Sequence, residues 1–147
     1  MDHCLFLSTE EVNVASAAIR WKTESDWSHV GFYRLADAWT FSAMSDGQGV
    51  AWRPPNPKAR ILKLSVEGIE AALSKALTQT GKAYDKLDIL GIALDRNWST
   101  ADRFICSTLV LWSFEQIAIP LLNPRFIPRE HMTPRDVLLS PYVTELS

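Results

Sequence analysis

Residues 27–44 read WSHVGFYRLADAWTFSAM, and the fold turns on this stretch. Just upstream, Glu10 to Trp21 keeps a helical period. Val12, Ala15, Ala18 and Ile19 fall on one face, and Ser8 or Thr9 ahead of Glu10 and Glu11 forms a cap. From Trp27 the period drops to two. Trp27, His29, Gly31 and Tyr33 alternate with Ser28, Val30, Phe32 and Arg34, and aromatic and β-branched side chains dominate. The pattern predicts one strand over Trp27 to Leu35 and a second over Ala38 to Met44.

Outward from this pair, CLFLS at 4–8 reads as a buried strand or a strand-like lead-in. SDGQG at 45–49 is a turn, and VAW at 50–52 a short third strand. In RPPNPK at 53–58 the three prolines exclude a central strand and predict an exposed loop. Ile61 to Leu64 reads as a further strand. Val66 or Glu67 opens a helix to about Thr80, with Ile69, Ala72, Leu73, Ala76 and Leu77 as its apolar stripe and Gly81 as its C-terminal cap. Residues 82–104 form a turn or loop with an apolar centre. Ile105 to about Ile119 is the most apolar helix, stopped by Pro120. In the proline-rich tail, Phe126-Ile127 reads as a short strand. Thr133-Pro134 caps and starts a short helix over Asp136 to Leu139. Strands between helices, without a βα alternation, give an α+β class: an antiparallel sheet packed against helices.

The 147 residues suit a single domain over 1–147, and no repeat, low-complexity run or linker divides them. Hydrophobic side chains at 47% and charged ones at 22% exclude a disordered chain. A chain of this length buries roughly two-thirds of its unfolded surface, so it needs no disulfide or metal staple. Fifteen basic and seventeen acidic side chains leave a formal net charge of -2. No basic excess drives nonspecific nucleic-acid binding, although a local patch stays open. Cys4 and Cys106 make no disulfide framework, and His3, His29 and His131 are too scattered to announce a metal site. The DGQG glycines lack the lysine and hydroxyl residue of a phosphate loop. Polar residues and Pro120 interrupt the stretch from Cys106 to Leu122, which falls short of the roughly twenty apolar residues of a membrane span. The acidic N-terminus does not resemble a signal peptide. The default expectation is a cytoplasmic protein with reduced thiols, while delivery by a phage particle or another route stays open.

Two residues stand out chemically. Cys106 falls at the front of the apolar helix, where unpaired N–H groups and the helix dipole favour a thiolate. His29 lies in a strand, followed by Gly31. An imidazole within hydrogen-bond reach of the sulfur would take its proton, giving a thiolate–imidazolium pair that attacks a carbonyl and protonates the leaving group. The Cys106 N–H would meet the oxyanion. The plain alternative is a buried core cysteine and an unrelated histidine. Their separation of 77 residues does not by itself decide between the two.

The order of segments adds a resemblance. SDWSHVGF at 25–32, GKAYD at 81–85 and FICSTLVLW at 104–112 resemble the circularly permuted branch of the papain-like cysteine hydrolases. These are relatives of NlpC-type cell-wall peptidases, and the branch includes YiiX-like proteins and lecithin:retinol acyltransferase. There the histidine strand precedes the cysteine helix. LFLS, VASAAIRW, KTES and WSHVG are similar to the family's opening, and TPRDVLLSPY to its closing segment, so the likeness spans about residues 5–142. It implies a permuted papain-like fold with Cys106 as nucleophile at a helix N-terminus and His29 as general base.

The third, orienting residue of that family stands on the next strand, where YiiX-type relatives often carry Glu-Ala. Ser42-Ala43 is the positional match, with Ser42 13 residues after His29. A serine hydroxyl accepts from an imidazole N–H but brings no fixed charge. Three readings stay open: a weak orienter suffices, Asp46 reaches in from the turn, or the site is degenerate. By the same resemblance Tyr84 stands beside the oxyanion position, against simple packing on the helix. Asp85 fastens its loop, Ser107 helps start the helix, and Gly31 permits close packing or marks a bulge. His3 and Cys4, at an end expected to fray, and His131, in the tail, are left outside the site. Trp27, Trp39 and Trp112 are expected in the core, and Trp52 and Trp98 either along an open groove or as aromatic caps over the core.

The function implied is a thiol hydrolase cleaving an amide or peptide bond through an acyl-enzyme, with peptides of the cell-wall type among its substrates. A lipid acyl hydrolase or acyltransferase shares the thioester chemistry, and a degenerate papain-like binding domain is the non-enzyme alternative. None of these readings calls for a cofactor or metal.

Overall fold

The computed structural model describes residues 2–9, 29–44, 47–84, 103–104, 106–123 and 133–147. Period-two segments build a six-stranded, wholly antiparallel sheet from β1 (His3–Ser8), β2 (His29–Arg34), β3 (Thr40–Met44), β4 (Gly49–Arg53), β5 (Arg60–Leu64) and β8 (Val143–Leu146). Their spatial order is β4-β3-β2-β1-β5-β8. β6 (Ala83–Tyr84) and β7 (Arg103–Phe104) form a separate parallel pair. Two helices, α1 (Ile69–Leu77) and α2 (Cys106–Glu115), and a 3-10 helix over Pro134–Leu139 complete the described elements.

Register fixes which side chains share a face. Leu62, Leu5, Phe32, Phe41 and Trp52 follow one another across five strands. With Leu7, Val30, Ala43, Val50 and Leu64 they form the face packed with the buried residues of both helices. Phe32 of β2 stacks on Phe114 of α2, ring centroids 6.3 Å apart. The stripe of α1 is buried at Ile69, Ala72, Leu73 and Ala76, whereas Leu77 is exposed. Buried on almost every side, α2 is the central helix of the packing. The alternate residues Cys4, Phe6, Ser8, His29, Gly31 and Ser42 point to the other face.

Several elements depart from the sequence reading. β1 lies between β2 and β5 with Cys4 to Ser8 buried, so the expected fraying end is a central strand. His3 Nδ1 stands 2.6 Å from Glu70 Oε2, and the Asp2 and His3 N–H groups donate to Glu70 Oε1, which ties β1 to α1. Arg53, expected in the proline loop, closes β4 and is buried. α1 starts only at Ile69 and is capped at Thr78. Gly81, at φ 87°, lies in the following turn and donates its N–H to Val50 O.

α2 ends before Pro120 acts. The Ile119 N–H bonds Phe114 O and the Ala118 N–H bonds Glu115 O, a Schellman closure with Ala118 at φ 60° in the left-handed position. Short i→i+3 bonds, such as Asp136 N–H to Thr133 O, make the last helix 3-10, and the Asp136 carboxylate accepts from the Thr133 N–H at its start. β8 had no counterpart in the sequence reading, nor did the β6–β7 pair. Trp39 is 36% exposed rather than in the core, whereas Trp112 packs against the core from a half-buried position. Trp52 lies between Phe41, at 5.2 Å, and the Arg34 guanidinium, at 4.5 Å. The helix expected at 10–21, the strand at 126–127, and Trp27, Trp98, Asp46, Asp85 and His131 lie outside the described residues.

Candidate active site

The register of β2 on β3, Phe32 opposite Phe41 and Tyr33 opposite Thr40, brings Gly31 beside Ser42 when continued by one residue. A methyl group on Gly31 would stand 2.7 Å from Ser42 Cβ, 2.7 Å from Phe41 O and 2.8 Å from a Phe6 ring carbon. The glycine thus lets the neighbouring strand and the Phe6 ring close in on β2. The imidazole of His29, two residues earlier on the same face, reaches diagonally across to Ser42. Its Nε2 lies 2.8 Å from Ser42 Oγ, with His29 4% and Ser42 0% exposed. The Phe6 ring packs against the imidazole at 5.5 Å between centroids. Gly31 serves close packing here.

The pair sits on the two strands against which α2 packs. Cys106 is the first residue of α2 and is 1% exposed, with Ser107 buried beside it. Neither Cys106 nor Cys4 is disulfide-bonded. Burial pushes the Cys4 thiol up to about 11, the charge of Lys63 only partly offsetting it. Cys4 therefore stays a protonated core thiol near neutral pH.

Tyr84 is 22 residues from Cys106 in sequence, yet the fold returns its backbone to the start of α2. It pairs in β6 with Phe104 of β7, two residues before the cysteine. The side chain of Tyr84 lies outside what the structure describes. Of the residues picked from sequence, His29 and Ser42 meet through a side-chain hydrogen bond, while Tyr84 and Cys106 meet through backbone neighbourhood. Sequence reasoning missed Arg53, whose guanidinium reaches the backbone of Ser42. A lone arginine before a proline loop gives no local signal of that contact.

No family model and no curated protein matches this sequence. The class defined here is an α+β fold in which an antiparallel sheet carries the His29–Ser42 pair and packs on a central helix. The same fold is seen in the solved structure of the metalloprotein YiiX from Escherichia coli O157:H7. The two align with a TM-score of 0.64 over 99% of this chain and 96% of that one, at 20% sequence identity. The likeness establishes a YiiX-like fold. That protein is described as a metalloprotein. Here, among the described residues, no group of three or more His, Cys, Asp or Glu side chains could hold a metal ion. The described residues do not fit a metal centre.

Proposed function

We propose that this chain is a cysteine hydrolase of permuted papain-like architecture, acting on an amide or peptide bond. The observation that carries the reading is the buried 2.8 Å contact between His29 Nε2 and Ser42 Oγ on the strands beneath α2. Ser42 engages Nε2, so proton exchange with the Cys106 thiol runs through Nδ1. The thiol proton passes to His29 as the sulfur bonds the substrate carbonyl carbon. The imidazolium then returns a proton to the amine as the C–N bond breaks. Water, deprotonated by His29, cleaves the thioester and releases the acid and the thiol. In this reading the N–H groups opening α2 meet the oxyanion, and the family resemblance adds Tyr84 beside it.

This mechanism sets a geometric condition. Val30 and Phe32 face α2, whereas His29 points to the opposite side, so the sulfur and the ring meet only where both elements begin. Eight residues of helix from Cys106 to Phe114 rise about 12 Å, and three of strand from His29 to Phe32 about 10 Å. With Phe114 stacked on Phe32, the mechanism requires α2 to run along β2 in the same direction, so that Cys106 stands level with His29.

The test is Cys106 alkylation by iodoacetamide as a function of pH, with labelled sites read by mass spectrometry. The expected profile shows reaction well below the free-thiol pKa of about 8.5, abolished in His29→Ala. Labelling by a panel of peptide and acyl electrophiles then sorts amidase from lipid acyl chemistry. A profile like that of an ordinary thiol, unaffected by His29→Ala, rejects the enzyme. One observation favours a second reading in that event: Ser42 carries no charge to stabilise imidazolium, which suits a degenerate binding domain.

A further inference from the structure

β4 reads GVAWR, and its alternate residues Gly49, Ala51 and Arg53 share a face with Ser42 and His29. The Arg53 side chain folds back along the strand past the small Ala51, while the space a Cβ on Gly49 would take is held by Lys82 O. Arg53 is only 8% exposed. Its Nη1 donates to Ser42 O at 2.7 Å and to Ala51 O at 3.0 Å, and its Nη2 to Gly49 O at 2.7 Å. One planar fork thus ties together both strands of the hairpin at the sheet's end, where β4 is the outermost strand.

We propose that Arg53 is the positioning residue of the His29–Ser42 pair, an inference that rests on reading His29 as the base. Ser42 has a short, neutral side chain, so where its Oγ stands depends on where its backbone stands. A hydrogen bond to imidazole weakens steeply with small displacements. β3 has β2 on one side and only the outer strand β4 on the other, so it needs a restraint on that side. Charge-assisted bonds from a rigid guanidinium supply it, and they do so on the Ser42 carbonyl itself. A lysine, with a point charge on a flexible stem, cannot span the Ser42 and Gly49 carbonyls in one plane.

The experiment compares wild type, Ser42→Ala, Arg53→Gln, Arg53→Lys, the Arg53→Gln/Ser42→Ala double variant and His29→Ala. The readouts are the NMR titration of the His29 ring and the alkylation rate of Cys106. Arg53→Gln should move the His29 midpoint in the same direction as Ser42→Ala, with Arg53→Lys in between. Both Arg53→Gln and Ser42→Ala should slow alkylation about three- to ten-fold, as loss of one hydrogen bond would. The double variant should go no further than Ser42→Ala. An unchanged His29 midpoint in Arg53→Gln, with only the melting temperature lowered, overturns the proposal, as do effects that multiply in the double variant. If Arg53→Gln does not fold, Arg53→Lys decides by the same midpoint. Alkylation unaffected by His29→Ala defeats the hydrolase reading alone, since the ring titration still reports whether Arg53 holds Ser42 on His29.

Discussion

A single missing methyl group shapes the candidate site. Gly31 is needed for lack of bulk, not for an unusual backbone angle, because the space a Cβ would take is held by Ser42 Cβ, Phe41 O and the Phe6 ring. Gly31→Ala must push on the serine that meets His29. The expected cost is about 1–3 kcal/mol of stability, the usual range for overpacking, together with a shift of the His29 ring titration. Urea denaturation and NMR check the two effects, and an unshifted His29 would show that Ser42 does not move. Cys4 gives a second expectation. Desolvation raises its folded pKa from 9.0 to about 11, with Lys63 opposing. Below about pH 9 both states hold the proton and nothing is lost. Between about 9 and 11 the unfolded thiol ionises while the folded one does not, so stability falls by on the order of 2–3 kcal/mol and then levels. Cys4→Ala should flatten that alkaline limb relative to wild type. Over the same range, native wild-type protein should stay unlabelled at Cys4.

Helices and strands were legible where the signal was local. The alternation of residues 29–34 and 40–44 reports β2 and β3, whereas Ser42 is picked out only by the family resemblance, and a tight hairpin explains why its 13-residue offset brings it beside His29. β6 and β7 are two residues each and pair in parallel across a long interval, which no local pattern encodes. β8 is a four-residue edge strand whose weak alternation, VTEL, is intermediate or exposed throughout. The end of α2 was misread because proline is the more visible stop signal, while the chain closes the helix with an alanine in the position glycine usually fills. That alanine carries a prediction. A left-handed alanine costs roughly 1–2 kcal/mol, and glycine gives part of that back as unfolded-state entropy. Ala118→Gly should therefore stabilise the protein by about 0.5–1 kcal/mol. A higher urea midpoint at unchanged slope confirms it, and a lower one shows that the Schellman turn is not what holds Ile119 to Phe114.

At the scale of the whole molecule, the sheet order places the chain's N-terminal strand at the centre and its C-terminal strand at an edge. That arrangement is long-range and invisible to sequence periodicity, yet it decides where the fold is most firmly held. β1 is buried from Cys4 to Ser8 and bonds β2 on one side and β5 on the other. Among the described residues β8 pairs with β5 alone, through a register irregularity at Lys63 and Leu64. Its Lys63–Glu145 ion pair is more than half exposed on both sides, the kind that adds little. At the opposite edge β4 is stitched to the following segment, with the Val50 N–H on Lys82 O and the Gly81 N–H on Val50 O. The strands carrying His29, Ser42 and Arg53 thus lie on the better-supported half of the sheet, as a site that must hold two side chains 2.8 Å apart requires. Native-state hydrogen exchange with increasing denaturant reads this directly. Amides shared by β1 and β2 should exchange only through global unfolding, with a free energy that falls steeply with denaturant. Amides shared by β5 and β8 should exchange by local fraying, with almost no denaturant dependence. If both sets showed the same free energy and slope, the sheet would open as one unit, and the stability of the His29–Ser42 pair would depend on the C-terminal strand as much as on β1.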